Sequence, residues 1–526
     1  MQSYWLLNGK FVAAFAAACL LAATSRGEEA VDPQQVQAHM RYATLRGQAV
    51  VRASAPLTLR VQGRAIELPP GEWTFAATDI RPAPKRFHVF PKTFQSSETQ
   101  EMEEYLEEWR TRGYKPTVET FGLLFRTASG HTLDNRVHWI SLARFDSEQE
   151  AQALINKLKE EPVWAWMRSE KIGAGSAAVY VRDNRGNTLE KLAAPIELVS
   201  SEPLELQDMS GGFWKEHKAN RLLAAPLRLE IGMEGAVEIY GKLPVETYLR
   251  GVLPAEMPSG WPKEALKAQA VVARSDIYAS LATKYKLEGF DFTALEGCRA
   301  YWGVGGHHPN TDAAIEQTAG MALVHEGKFA TTVFSSCCGG WTENNENVWS
   351  GPPNPVLRGI QDVSPEKRTG VPDSESGWRR KIKGDAPAWC SDAKDIFRWQ
   401  RRYTNKELTE IVNRRVSVGV IRSIRTGARG VSGRLKSVTI TGSKSSTTVE
   451  RELAIRQIFG GLPSAMFIIE AAPAGDAPEA FVFYGGGRGH GVGLCQYGAR
   501  GMAVAGRNYN EIVTHYFKGV RIERMR

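Results

Sequence analysis

The chain has 526 residues, with 66 basic against 58 acidic side chains and a formal charge of +8. At about 100–200 residues per domain, two to four domains are expected, and 42% hydrophobic with 24% charged residues excludes wholesale disorder. Fifty glycines and 26 prolines fit many turns and a β-rich chain rather than a helical bundle, and the mild basicity permits an acidic polymer as partner without specifying one.

At the N-terminus Lys10 precedes the apolar run 11–23, and Thr24-Ser-Arg-Gly27 follows. A positive residue, a short apolar core and small residues near a cut predict a secretory signal over 1–27. The run is too short to span a membrane and no later run is long enough, so no transmembrane anchor is expected in the mature chain. Ala16 and the apolar residues after Cys19 argue for plain cleavage over lipidation there. The expected location is the periplasm, or the cell wall and extracellular space. Cleavage removes Lys10 and Arg26 and lowers the charge from +8 to +6. Five cysteines remain, Cys298, Cys337, Cys338, Cys390 and Cys495, with no C-x-x-C pair. In an oxidising compartment they predict up to two disulfides and a free thiol.

Residues 28–85 form a β-rich segment, with polar and apolar residues alternating in Ala49-Val-Val-Arg-Ala-Ser and Leu57-Thr-Leu-Arg-Val-Gln. Arg81-Pro-Ala-Pro84 reads as a linker. The stretch 86–165 changes rhythm. Phe87-His-Val-Phe90 is a strand, and Ser97-Glu-Thr-Gln100 a capping box before a helix that carries Met102, Tyr105, Leu106 and Trp109 on one face. Strands follow at 117–126 and 137–144. Ser147-Glu-Gln-Glu150 then opens a second helix with Ala151, Leu154, Ile155 and Leu158 aligned. This βαββαβ pattern resembles a SPOR domain, a module that binds glycan strands of peptidoglycan lacking peptide stems; a ferredoxin-like insert of another kind is the alternative. Strand signals return between 175 and 250, at Ala177-Ala-Val-Tyr-Val181 and Val237-Glu-Ile-Tyr240.

The motifs that carry chemistry begin at residue 243. Leu243-Pro-Val-Glu-Thr-Tyr-Leu-Arg-Gly-Val-Leu-Pro-Ala-Glu-Met-Pro258 leads to a helix opened by Pro262, with Leu266, Ala270, Ala273 and Ile277 on one face. Glu256 is expected in the proline-flanked loop before that helix, and Arg274 off the apolar stripe. This stretch resembles the SpoIID/LytB family, and three later stretches match in order: 290–303, Phe334-Ser-Ser-Cys-Cys-Gly-Gly-Trp-Thr-Glu343, and Gly487-Arg-Gly-His-Gly-Val-Gly-Leu-Cys-Gln-Tyr-Gly-Ala499. The resemblance spans about 230–520. It implies an α+β chain: a mostly β SpoIID-type domain with several helices over 175–526, its core motifs at 243–499, beside the small ferredoxin-like SPOR-like domain.

Family members act on peptidoglycan, some as lytic transglycosylases and others as enhancers of a cell-wall amidase. The first reading implies cleavage of MurNAc-GlcNAc bonds in stem-free glycan to 1,6-anhydro ends. One carboxylic acid can serve that reaction, protonating the leaving oxygen and then accepting the proton of the sugar's 6-hydroxyl. The resemblance assigns Glu256 to this role. Arg274, Ser335, Thr342, Glu343, His490 and Gln496 are the expected substrate contacts; for each, packing or turn geometry is the alternative, and for Arg274 an ion pair. No Lys-Ser/Thr follows the glycines around His490, which argues against a nucleotide site, and no nucleic acid is expected as partner.

Some family members carry a Cys/His zinc cluster near the segment matched by 290–303. Here Thr293 and Gly297 stand where a Cys and a His are expected, and His307 and His308 lie outside the pattern. The expectation is therefore no metal and no cofactor. Adjacent Cys337 and Cys338 are poorly placed to bridge each other. Two disulfides are expected instead, joining Cys298 and Cys390 to that pair, with Cys495 the odd thiol. A metal-dependent hydrolase built on Cys298, Cys337, Cys338 and the histidines is the weakest rival.

Overall fold

The computed structural model describes residues 31, 37–211, 217–294, 298–384, 387–472, 475 and 477–526. The signal expected over 1–27, Cys19 and Gly297 lie outside the described residues. The architecture is α+β, with many short strands and helices gathered mainly after residue 244.

Alternating apolar residues build two sheets that are antiparallel except where Phe292–Thr293 runs parallel to Gln37–Leu45. Strands such as Gln48–Ala53, Leu57–Val61 and Ser176–Arg182 bury every second side chain, as half-buried strands do. One sheet has seven strands, in the order Phe292–Thr293, Gln37–Leu45, Val237–Pro244, Leu227–Ile231, Ile196–Val199, Leu57–Val61 and Arg64–Leu68. The other has six: Thr188–Ala193, Ser176–Arg182, Gly71–Arg81, Gln48–Ala53, Leu204–Gly211 and His217–Leu223. The segment 28–85, read from the sequence as separate, thus shares both sheets with residues 176–244. Gln37 pairs with Pro244 and Leu45 with Val237, so the first described strand holds the one that leads into the Glu256 helix. Periodicity reveals a strand but not a partner two hundred residues away.

Between Gly71–Arg81 and Ser176–Arg182 the chain leaves the sandwich to form the insert. Its strands are Lys85–Phe90 continuing as Lys92–Gln95, Thr117–Phe121, Val137–Ser141 continuing as Ala143–Phe145, and Trp166–Lys171. Their pairing gives an antiparallel sheet ordered fourth, first, third, second, with helices Thr99–Thr111 and Glu148–Glu160 sharing one core with Phe87, Val89, Phe94 and Ile140. This is the βαββαβ ferredoxin-like topology. Ser147 caps its helix by accepting from the Glu150 N–H. The first capping box does not form: the cap is Glu98, and the Ser97 hydroxyl accepts from Lys328 instead. An added hairpin, Leu124–Arg126 with Thr132–Asp134, pushes Phe125 and Leu133 into the main core.

After Pro244 the helices pack around Lys263–Ser280, in which twelve of eighteen residues are buried. Pro262 is the residue before this helix rather than its first. Residues 398–486 build a second core of their own, from sheets Arg398–Thr404/Ala480–Gly486/Phe467–Ala472 and Ile421–Thr426/Ser437–Gly442/Ser446–Glu450 with helices Asn405–Asn413 and Glu452–Ile458. The span read from the sequence as a single domain over 175–526 therefore contains two cores.

Candidate active site

Glu256 is the last residue of helix Val245–Glu256 and not part of a loop before the next helix. Met257 is extended (φ −132°, ψ 138°), as the residue before Pro258 must be, and the helix stops there. The helix lies close to the loop 298–303. Gly251 permits this approach, since a Cβ on it would stand 2.4 Å from the Tyr301 ring, and the Trp302 N–H donates to the Gly251 carbonyl. Buried Arg299 ties the same loop to the long helix through Asp276 and Ser280. So held, the loop directs the Ala300 N–H to Glu256 Oε1 at 3.1 Å.

Half-buried Glu256 opens onto a cleft of about 690 Å³, which Ser335, His490 and Gln496 also line. Three motifs far apart in the chain thus meet at one cavity. Phe334–Ser335 pairs with Leu494–Cys495, and Ser335 Oγ accepts from the Gly491 N–H at 3.2 Å. Gly491 sits at φ +76°, where a Cβ would strike the guanidinium of Arg434 at 2.3 Å; only glycine fits there. Gln496, expected as a substrate contact, donates through Nε2 to the Glu256 carbonyl at 3.0 Å and steadies the end of the Glu256 helix.

His490 Nδ1 accepts from the Val492 N–H at 3.0 Å, and its ring packs on Trp349 with centroids 4.9 Å apart. Desolvation, with the nearby Arg434 charge, pushes its pKa down to about 3, so the imidazole is neutral at ordinary pH.

Three expected substrate contacts lie elsewhere. Arg274 is fully buried; its Nε and Nη2 bind both oxygens of Glu246 at 2.7 and 2.8 Å, and Nη1 and Nη2 reach the Met321 and Ile315 carbonyls. Glu343 is fully buried and accepts from the Val431 and Ser432 backbones and from Asn347. Thr342 exchanges hydrogen bonds with Ile360. Arg274 ties its helix to the Val245–Glu256 helix, Glu343 and Thr342 hold loops, and none of the three lines the cleft. Sequence reasoning missed the opposite wall, where Trp349, Leu453, Arg451, Arg456 and Arg488 line the cleft. The exposed tryptophan in Asn345-Glu-Asn-Val-Trp349 was a signal available for one of them.

The thiols are also rearranged. Cys298 has Thr293 Oγ1 and Tyr285 Oη as its sulfur's neighbours, at 3.7 and 3.9 Å, and is not paired with Cys337 or Cys338. Among the described residues, the group of cysteines and carboxylates close enough to share a metal ion does not include Cys298. Cys390 does lie beside Cys338, with sulfurs 3.6 Å apart and unbonded. Cys495, expected to be the odd thiol, joins them, and Cys298 is the outlier.

By its sequence relatives, the chain belongs to the SpoIID/LytB family. The family model described as Stage II sporulation protein matches residues 233–325, and one described as a domain of unknown function (DUF8618) matches 343–493. An uncharacterized protein of Brachyspira hyodysenteriae is 31% identical over 285 residues, 54% of this chain and 68% of that protein. The amidase enhancer of Bacillus subtilis is 28% identical over 304 residues, 52% of this chain and 40% of its own length. Stage II sporulation protein D of the same organism is 25% identical over 323 residues, 58% and 81% of the two chains. No helix among the described residues is long and apolar enough to cross a membrane.

Proposed function

We propose that the chain is an exported protein acting on peptidoglycan, and that its cleft cleaves the MurNAc-GlcNAc bond of stem-free glycan by lytic transglycosylation. The observation that carries this reading is the placement of Glu256, a half-buried residue on a sugar-sized cavity, whose carboxyl accepts from the Ala300 N–H and whose backbone carbonyl accepts from Gln496. Glu256 donates its proton to the glycosidic oxygen as the C1–O bond breaks. The carboxylate then takes the proton of the 6-hydroxyl as that oxygen bonds to C1, which regenerates the acid without water. Trp349 offers an apolar face for a sugar ring. Exposed Arg488 suits the lactyl carboxylate that a stem-free MurNAc leaves uncovered.

A second reading rests on the amidase-enhancer relative: a glycan binder that activates a separate cell-wall amidase without cutting glycan. Digests of amidase-treated glycan by wild type and Glu256→Gln, analysed by mass spectrometry, separate the two. Glutamine keeps the shape and removes the proton. Transglycosylation requires 1,6-anhydro products from wild type and at least a hundredfold loss in the variant. Equal yields defeat the role of Glu256, and binding without cleavage by wild type leaves the enhancer.

A further inference from the structure

Beneath the floor of the cleft lies a cluster that the reaction does not use. Cys338, Asp362, Cys390 and Cys495 are all fully buried, and their ligand atoms lie within 4.8 Å of one another. Cys338 Sγ is 3.6 Å from Cys390 Sγ and 3.3 Å from Asp362 Oδ2. A tetrahedral zinc ion with bonds of about 2.3 Å to sulfur and 2.0–2.2 Å to oxygen sets these separations at about 3.8 and 3.5 Å. From this geometry we infer that the protein holds a structural zinc ion between Cys338, Cys390, Cys495 and Asp362.

The surroundings suit a metal better than a disulfide. A disulfide takes up two sulfurs and leaves the Asp362 carboxylate buried beside an apolar bond. The only ion-pair partner of that carboxylate among the described residues is His515, at 3.6 Å. The other carboxylate oxygen, Oδ1, accepts from Tyr516 Oη at 2.7 Å, which orients Oδ2 toward the sulfurs. Cys495 Sγ accepts N–H bonds from Cys338 and Gly498 at 3.1 and 3.3 Å, the donors a ligating thiolate needs. Gly498 leaves room for this arrangement, since a Cβ there would meet Tyr516 Oη at 2.1 Å and Asp362 Oδ2 at 2.7 Å. Three sulfurs and a carboxylate with no solvent-facing side select a thiophilic divalent ion in a closed, structural role. The place differs from the loop around Cys298. The ion would tie together four segments, two of them next to cavity residues: 337–338 after Ser335, 362, 390, and 495 before Gln496.

The full chain, purified without chelator, tests this directly. Elemental analysis and native mass spectrometry are expected to give one zinc per chain. Unfolding in chelator without reductant is expected to leave five alkylatable thiols in the mature protein. Cys390→Ala and Cys495→Ala are expected to lose the ion, and Cys298→Ala to keep it. Should those variants fail to fold, exchange of cobalt into wild type gives a thiolate-to-cobalt absorption band without any substitution. Two or four thiols resistant to alkylation, protein isolated without zinc, or zinc retained in Cys390→Ala would each overturn the assignment. Because none of these readouts involves glycan, they stand apart from the test of Glu256.

Discussion

Glu256, His490 and Arg274 carry three different kinds of consequence. Glu256 is positioned in part by the Ala300 and Gln496 hydrogen bonds, and its consequence is chemical. His490 has a consequence in pH. Its pKa falls from 6.5 to about 3 on folding, first through desolvation and then through Arg434. Above pH 6.5 the ring is neutral in both states and contributes nothing. Between 6.5 and 3 only the unfolded chain takes up the proton, so stability drops as the pH falls. The ring is half-buried, so the drop by pH 5 is put at about 1–2 kcal/mol. Urea titrations at pH 7 and pH 5 measure it, and His490→Gln is expected to lose that part of the difference. Arg274 has a consequence in stability alone. Lysine keeps the charge but lacks the fork that spans Glu246. Because Glu246 is 35% exposed, Arg274→Lys is expected to cost about 2–3 kcal/mol, below the range for wholly buried pairs. Glycan affinity of the folded fraction should stay unchanged; a fall in affinity at constant stability would return Arg274 to the substrate.

At the scale of elements, the insert shows an aromatic face opposite its helices. Trp164, Trp166, Trp139 and Phe90 form a chain of ring contacts with centroids 5.0–6.0 Å apart, and Trp164 is 73% exposed. We read this face as a glycan platform. Trp164→Ala is expected to weaken sedimentation with amidase-treated sacculi by roughly fivefold to tenfold, with an unchanged melting temperature because the ring supports no core. Equal sedimentation by both proteins would leave the insert a structural part. Much of this level was legible in the sequence. Alternation marked the strands and Ser147 the second insert helix, while Glu256, Ser335, His490 and Gln496 were named from motifs that the fold places along one cleft. Motifs do not distinguish a side chain that touches a ligand from one that holds a loop, which is why Glu343 and Thr342 were misread. The far wall was hidden for another reason: Leu453 and Arg456 come from the core at 398–486, whose strands give no sign that it closes over a cavity built by other segments.

At the scale of the whole molecule, the long helix Lys263–Ser280 joins the insert to the region of the cleft that Glu256 lines. Near its start the chain has just left Glu256. At its other end Asn135 of the insert donates to the Tyr278 and Leu281 carbonyls, and the Gly122 N–H donates to the Ala282 carbonyl. Eighteen residues at 1.5 Å each make a rod of about 27 Å. Its buried faces and the wedged Phe125 leave the insert no hinge to swing on. The rod is a ruler. On the proposed reading, a glycan strand gripped by the insert and cut at Glu256 is cut at a set interval from the grip, so digests of long stem-free strands should accumulate fragments of one preferred length. Asn135→Ala, which loosens one end of the ruler, should broaden that distribution while leaving the rate of bond cleavage nearly as it was. Chromatographic sizing of the fragments would show either a single mode or the smooth decay that random scission gives.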